Sequence, residues 1–274
     1  MTEAIDQLFL QIYEYFRNPN PEQKEQIDSI LLELCSNPLI FHSLSNFALN
    51  HENPNVRLFS IMVIDKALKS RYSQQQLLIS PEEAQLIMQF IVTFLQKYKI
   101  ENQFSNVLQM GCELARMYPI FSDLSPLLIQ SFLEMFQNPE NLLISLMYAS
   151  ILLEFEILTD EILVSNNFPE IFLNLILQGL SFTENDTNSF KLRLNAIHLL
   201  TQIKLNGSPL FADFIKSSQM LLQALMQTTQ ISVCQNENPE ESLRLFCFLE
   251  FIVTLFPEEL GDTLPQYSPF ANQK

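Results

Sequence analysis

Apolar side chains recur at spacings of three and four along nearly the whole chain, and proline interrupts them at short, regular intervals. Residues at i, i+3, i+4 and i+7 share one face of an α-helix, so each uninterrupted segment reads as an amphipathic helix. The segments run over 3–17, 21–35, 39–50, 54–71, 81–98, 105–118, 123–136, 139–158, 169–180, 188–205, 209–229 and 239–256. Within 54–71, the spacing of Leu58, Ile61, Ile64 and Leu68 predicts one buried face. Proline costs roughly 3 kcal/mol inside a helix but is tolerated in the first turn, where its missing N–H has no partner. Asn-Pro pairs at 18–19, 37–38, 53–54, 138–139 and 238–239, and Phe-Pro at 168–169 and 256–257, therefore mark helix starts, with Asn able to cap.

Twelve helices make about six antiparallel pairs with a period near 40 residues. That is the range of HEAT and armadillo repeats and not the 34 residues of tetratricopeptide repeats. The expected fold is all-α: one continuous α-solenoid, with a compact helical bundle as the structural rival. Expected divisions are 1–136 and 137–256, followed by a loosely ordered tail over 257–274, where Gly261, Pro265 and Pro269 accompany little periodicity. Phe246, Phe248, Phe251 and Phe256 crowd the last expected helix. Asn55-Val56-Arg57 opens the fourth helix, and Lys191-Leu192-Arg193 and Glu241-Ser242-Leu243-Arg244 repeat the arrangement. The arginine there either ties neighbouring turns together or reaches a partner.

With 47% apolar residues and four glycines in 274, there is little material for hairpins or phosphate-cradling loops. Thirty-one acidic against 15 basic residues, a net charge of −16, argue against nucleic acid, which demands Lys and Arg to displace counterions. Basic protein partners suit this balance. Cys35, Cys112, Cys234 and Cys247 form no C-x-x-C pair and read as reduced, buried apolar side chains. The first residues lack the basic and apolar regions of a signal peptide, and no run approaches 18 apolar residues, so neither secretion nor a membrane span is expected.

Catalytic chemistry finds little support. His42, His51 and His198 are far apart and none stands in H-E-x-x-H. No G-x-S-x-G or glycine-rich loop occurs, and the acidic pairs at Pro81-Glu82-Glu83 and Pro239-Glu240-Glu241 complement helix N-termini. The chain reads as a non-enzyme without metal or cofactor.

The residues from the second to the fourth helix carry a resemblance. Ile27-Asp28-Ser29-Ile30-Leu31-Leu32-Glu33-Leu34, then Asn37-Pro38-Leu39-Ile40-Phe41, then Asn55-Val56-Arg57 through Lys66-Ala67-Leu68-Lys69-Ser70-Arg71-Tyr72, resemble the N-terminal domain of importin-β-type karyopherins. Asn106-Val107-Leu108-Gln109 through Tyr118-Pro119 and Phe121-Ser122-Asp123-Leu124 extend it weakly. Tyr72 stands where the family pattern has Trp, Ser60 where it has Ala, and Lys66 where it has Asn. The resemblance implies a nucleocytoplasmic transport receptor, found in cytoplasm and nucleus, that binds the small GTPase Ran in its GTP form through its inner helices and carries basic protein cargo. It points to Asp65, Lys66 and Lys69 on one helix, and Gln109 and Glu113 on another, as partner-binding residues. The alternative is a HEAT or armadillo scaffold or adaptor without GTPase binding.

Overall fold

The structure, a computed structural model, describes residues 2–37, 39–72, 79–99, 101–117, 124–182, 184, 186–206, 208, 210, 211, 221, 223–225 and 227. Among them are eleven α-helices and no strand: α1 (Thr2–Arg17), α2 (Lys24–Ser36), α3 (Ile40–Asn50), α4 (Pro54–Tyr72), α5 (Pro81–Lys97), α6 (Glu101–Met117), α7 (Leu124–Phe136), α8 (Leu142–Glu154), α9 (Asp160–Ser165), α10 (Phe168–Leu180) and α11 (Thr187–Asn206). The all-α reading holds. The helices expected over 209–229 and 239–256, the tail beyond 257, Arg244, Cys234 and Cys247 lie outside the described residues or nearly so. The chain forms two compact units, Met1–Ser131 and Phe132–Lys274.

Asparagine starts many of these helices by one device. The side-chain oxygen of Asn20, Asn37, Asn53 and Asn138 accepts a bond from the backbone N–H two residues on, at 2.9 to 3.1 Å. This satisfies one of the donors that a helix start leaves without a partner. At α5, Ser80 and Glu83 form a reciprocal capping box ahead of Pro81,. Before α2, the working pair is Asn20-Pro21, with a short 3-10 turn over Pro21–Gln23, and not the Asn18-Pro19 pair singled out from the sequence.

In the first unit the helices pack in a fixed pattern. Helix α1 packs on α2, α3 on α4 and α5 on α6, while α1, α3 and α5 meet in succession and α2, α4 and α6 do the same. Three pairs thus form two layers in which each pair packs on the next, which is the repeat-stacking arrangement of helical solenoids,. Phe9 anchors the first two pairs, its ring centroid 5.1 Å from Phe47 and 5.5 Å from Phe59. Of the face expected to be buried in α4, Ile61, Ile64 and Leu68 are buried, but Leu58 is only half-buried. It stands at the edge of the layer, where α4 begins to face α6.

Arg57 ties neighbouring turns together. Its guanidinium donates to the carbonyls of His51 at 2.8 Å and Glu52 at 3.1 Å, and lies 5.1 Å from the centre of the Tyr98 ring. The Tyr98 hydroxyl donates to the carbonyl of Leu49 at 2.7 Å, as does Lys97 from the end of α5. The carbonyl end of α3 is thereby closed by cations and a phenol, which its negative dipole end favours.

The second unit reuses these means. Helices α8, α10 and α11 pack on one another, and α9 packs on α10. Arg193, nearly fully buried, donates to the carbonyls of Phe182 and Glu184. Burial holds its guanidinium below its ordinary pKa, with the charge of Asp186 opposing the shift. A column of rings fills the core: Phe132 meets Tyr148 edge-on at 5.5 Å and Phe168 at 5.7 Å, and Phe172 stacks on Phe211 at 5.8 Å,. Where the sequence predicts one helix over 139–158, the structure has a 3-10 turn, the shorter α8, and the added helix α9. Helix α8 stops because Glu156 takes a left-handed φ of 54°. Its N–H bonds the carbonyl of Leu153, and that of Ile157 bonds Leu152, a helix-ending pair of bonds usually built on glycine. Thr159 then caps α9 by accepting from the N–H of Ile162. Helix α6 also starts at Glu101, four residues before the expected 105.

Gly179 lets α10 and α11 cross closely. A Cβ there would sit 2.8 Å from the Cβ of Ala196 and 3.1 Å from the carbonyl oxygen of Leu192, both fixed to the opposing backbone. Gly179→Ala should therefore destabilise despite a helix-propensity gain of about 1 kcal/mol, because overpacking costs about 1–3 kcal/mol. At Gly111 the nearest atoms are side-chain methyls of Ile91 and Leu128, at 3.0 and 3.3 Å. Gly111→Ala is expected to cost less, and paired urea melts of the two variants check the order.

Candidate functional site

The layer holding α2, α4 and α6 carries an open groove of about 230 Å³ between α4 and α6. Its α4 wall is the ridge of Leu58, Ile61, Met62, Asp65 and Lys69, and its α6 wall the ridge of Gln103, Asn106, Gln109, Met110 and Glu113. Each ridge repeats at three- and four-residue steps, which keeps those side chains on one helix face. Ile61 and Met110 are buried and form the floor, whereas Met62 is 59% exposed at the rim.

The polar end centres on Lys69. Its ammonium lies 2.9 Å from the Asp65 carboxylate one turn earlier, with both side chains substantially exposed. The hydrogen bond that Lys69 donates to the Asp65 carboxylate is the main cause that raises the Lys69 pKa. Partial burial opposes it, and the charges of Asp65 and of Glu113 across the groove add to it. An exposed pair of this kind contributes only tenths of a kcal/mol to stability. The groove therefore offers one cation between two carboxylates, flanked by carboxamides and a soft apolar rim.

Four of the five residues proposed from the sequence come together here: Asp65, Lys69, Gln109 and Glu113. Lys66 does not line the groove; it is exposed one position further round α4. Sequence reasoning missed Met62, Gln103 and Asn106. Stepping back three or four residues along each helix from Asp65 and Gln109 leads to them.

The histidines stay apart in role. His51 accepts from the N–H of Asn53, and His198 lies near the Gln202 carboxamide, its pKa lowered by burial against the charge of Glu154. Among the described residues, no group of three or more His, Cys, Asp or Glu is arranged to hold a metal ion, and no helix is long and apolar enough to cross a membrane. Cys35 and Cys112 are buried and take part in no disulfide among the described residues.

Fold and groove define an α-helical repeat protein with a mixed apolar and charged surface on one helix layer. A family match to the importin-beta N-terminal domain covers residues 21–97. It spans the helices from α2 to α5, so it takes in the α4 wall of the groove and stops before α6. No curated protein and no solved structure matches the chain.

The asymmetry around Lys69 has a direct readout. Asp65→Asn should lower the Lys69 titration midpoint toward its ordinary value, as followed by NMR of the side-chain ammonium. The melt should change by no more than about 0.5 kcal/mol. An unmoved midpoint would show that the carboxylate does not set the charge state of this cation.

Proposed function

We propose that the chain is a nuclear transport receptor that binds Ran in its GTP form through the groove between α4 and α6, moves between cytoplasm and nucleus, and takes basic protein cargo. The observation that carries this reading is the coincidence of two independent features. The importin-beta N-terminal domain match covers α4, and α4 supplies one wall of a groove that collects charged and apolar groups in the manner of a protein-docking surface,. Asp65, Lys69 and Glu113 present charges of both signs, so they serve register and selectivity more than bulk affinity. Met62 and Leu58 supply the apolar contact. The partner's nucleotide chemistry stays with the partner, and the chain acts as a binder and not as an enzyme.

The test compares Ran locked in its GTP form with Ran loaded with GDP, on the parent chain and on the triple variant Asp65→Lys, Lys69→Glu, Glu113→Lys. The parent should bind the GTP form selectively, and the variant should lose about tenfold or more in affinity with its thermal melt nearly unchanged. Equal affinity of parent and variant would remove the groove assignment. Absence of binding in either nucleotide state would leave the scaffold reading in its place.

A further inference from the structure

A second groove of the first unit, larger than that between α4 and α6, lies between α1 and α2, with a volume of about 710 Å³. Its α1 wall carries Gln7, Gln11, Glu14 and Asn18, and its α2 wall Gln23 and Gln26, over an apolar floor at Leu10 and Ile27. These residues turn away from Phe9, whose ring packs on Phe47 and Phe59 of the next pair. The groove is thus on the free side of the first helix pair. All five carboxamides are exposed, and no hydrogen bond joins them to another described residue.

A carboxamide offers a donor and an acceptor side by side, the complement of a peptide group. Gln7 and Gln11 stand one helical turn apart, about 6 Å along α1. An extended chain repeats every two residues at about 6.6 Å, so successive carboxamides meet alternate peptide groups of such a chain. From Gln7 to Asn18 the wall runs about 16 Å, the length of about five extended residues.

Charge selects the occupant further. Over residues 1–36 there are seven carboxylates and two basic side chains, whereas 37–131 holds seven of each. The negative balance of this unit therefore resides wholly at the first pair. Within the groove, Glu14 is held only by Arg17 at 3.7 Å, with both side chains more than half exposed. An incoming cation displaces so weak a contact at little cost.

We propose that the α1–α2 groove docks an extended peptide segment carrying a lysine or arginine beside an aliphatic residue. The carboxamides hold the backbone, Glu14 takes the cation, and Leu10 receives the aliphatic side chain. This site is separate from the GTPase groove and does not depend on it.

The test uses the whole chain and three labelled hexapeptides, read by fluorescence anisotropy. One has a central lysine among valine and alanine, one has glutamine in its place, and one is the lysine peptide with alternate backbone nitrogens methylated. The lysine peptide should bind best, and methylation should abolish binding. Gln11→Ala with Gln26→Ala should weaken it roughly tenfold or more, and Glu14→Gln should erase the preference for lysine over glutamine, all with unchanged melts. The variant altered at Asp65, Lys69 and Glu113 should bind the peptide as the parent does, so failure here is distinct from failure of the GTPase reading. Absence of binding at millimolar peptide, or equal binding by parent and the double glutamine variant, would reduce this face to a polar end cap of the stack and overturn the proposal.

Discussion

Every helix must dispose of carbonyl groups at its C-terminal end, and a chain with four glycines in 274 residues has little of the residue that most often does so. Two substitutes operate. At the end of α3, and in the segment that follows α10, long cationic side chains from later helices reach back to backbone carbonyls: Arg57 and Lys97 in the first unit, Arg193, on Phe182 and Glu184, in the second. At α8 and α9, Glu156 and Asn167 take the left-handed conformation themselves. In the first case, capping also fixes position, because the donor belongs to another helix. Arg57 joins the α3 end to α4, and Lys97 and Tyr98 join it to the end of α5.

The groove between α4 and α6 follows from this locking. Packing of α4 on α3 buries Ile61, Ile64 and Leu68, and that rotation of the helix leaves Leu58, Met62, Asp65 and Lys69 directed at α6. The charged groups there contribute little to stability and are free to serve recognition. The same separation applies at the first pair, where Phe9 and Ile12 are committed to the core and Gln7, Gln11 and Glu14 are left outside.

Much of this was legible in residue order. Proline and asparagine stops located the helix starts because their chemistry is local: Asn53 caps with a bond two residues away. The choice of Asp65 and Lys69, and of Gln109 and Glu113 opposite them, came from the family resemblance. Helix ends were harder to read. The stop at Glu156 depends on a left-handed residue that is not glycine, and the cap on Leu49 comes from residues 48 and 49 positions later, so neither leaves a local mark. The α1–α2 groove escaped notice because glutamines on an exposed helix look like ordinary solvated positions until a second helix stands opposite them.

The central claim is that the α4–α6 groove is the surface that meets the GTPase. Hydrogen–deuterium exchange of the chain with and without GTP-locked Ran tests it most directly. The account predicts added protection in peptides covering 58–69 and 103–113, with those covering 7–18 unchanged. Protection elsewhere, with none over those two segments, would contradict it.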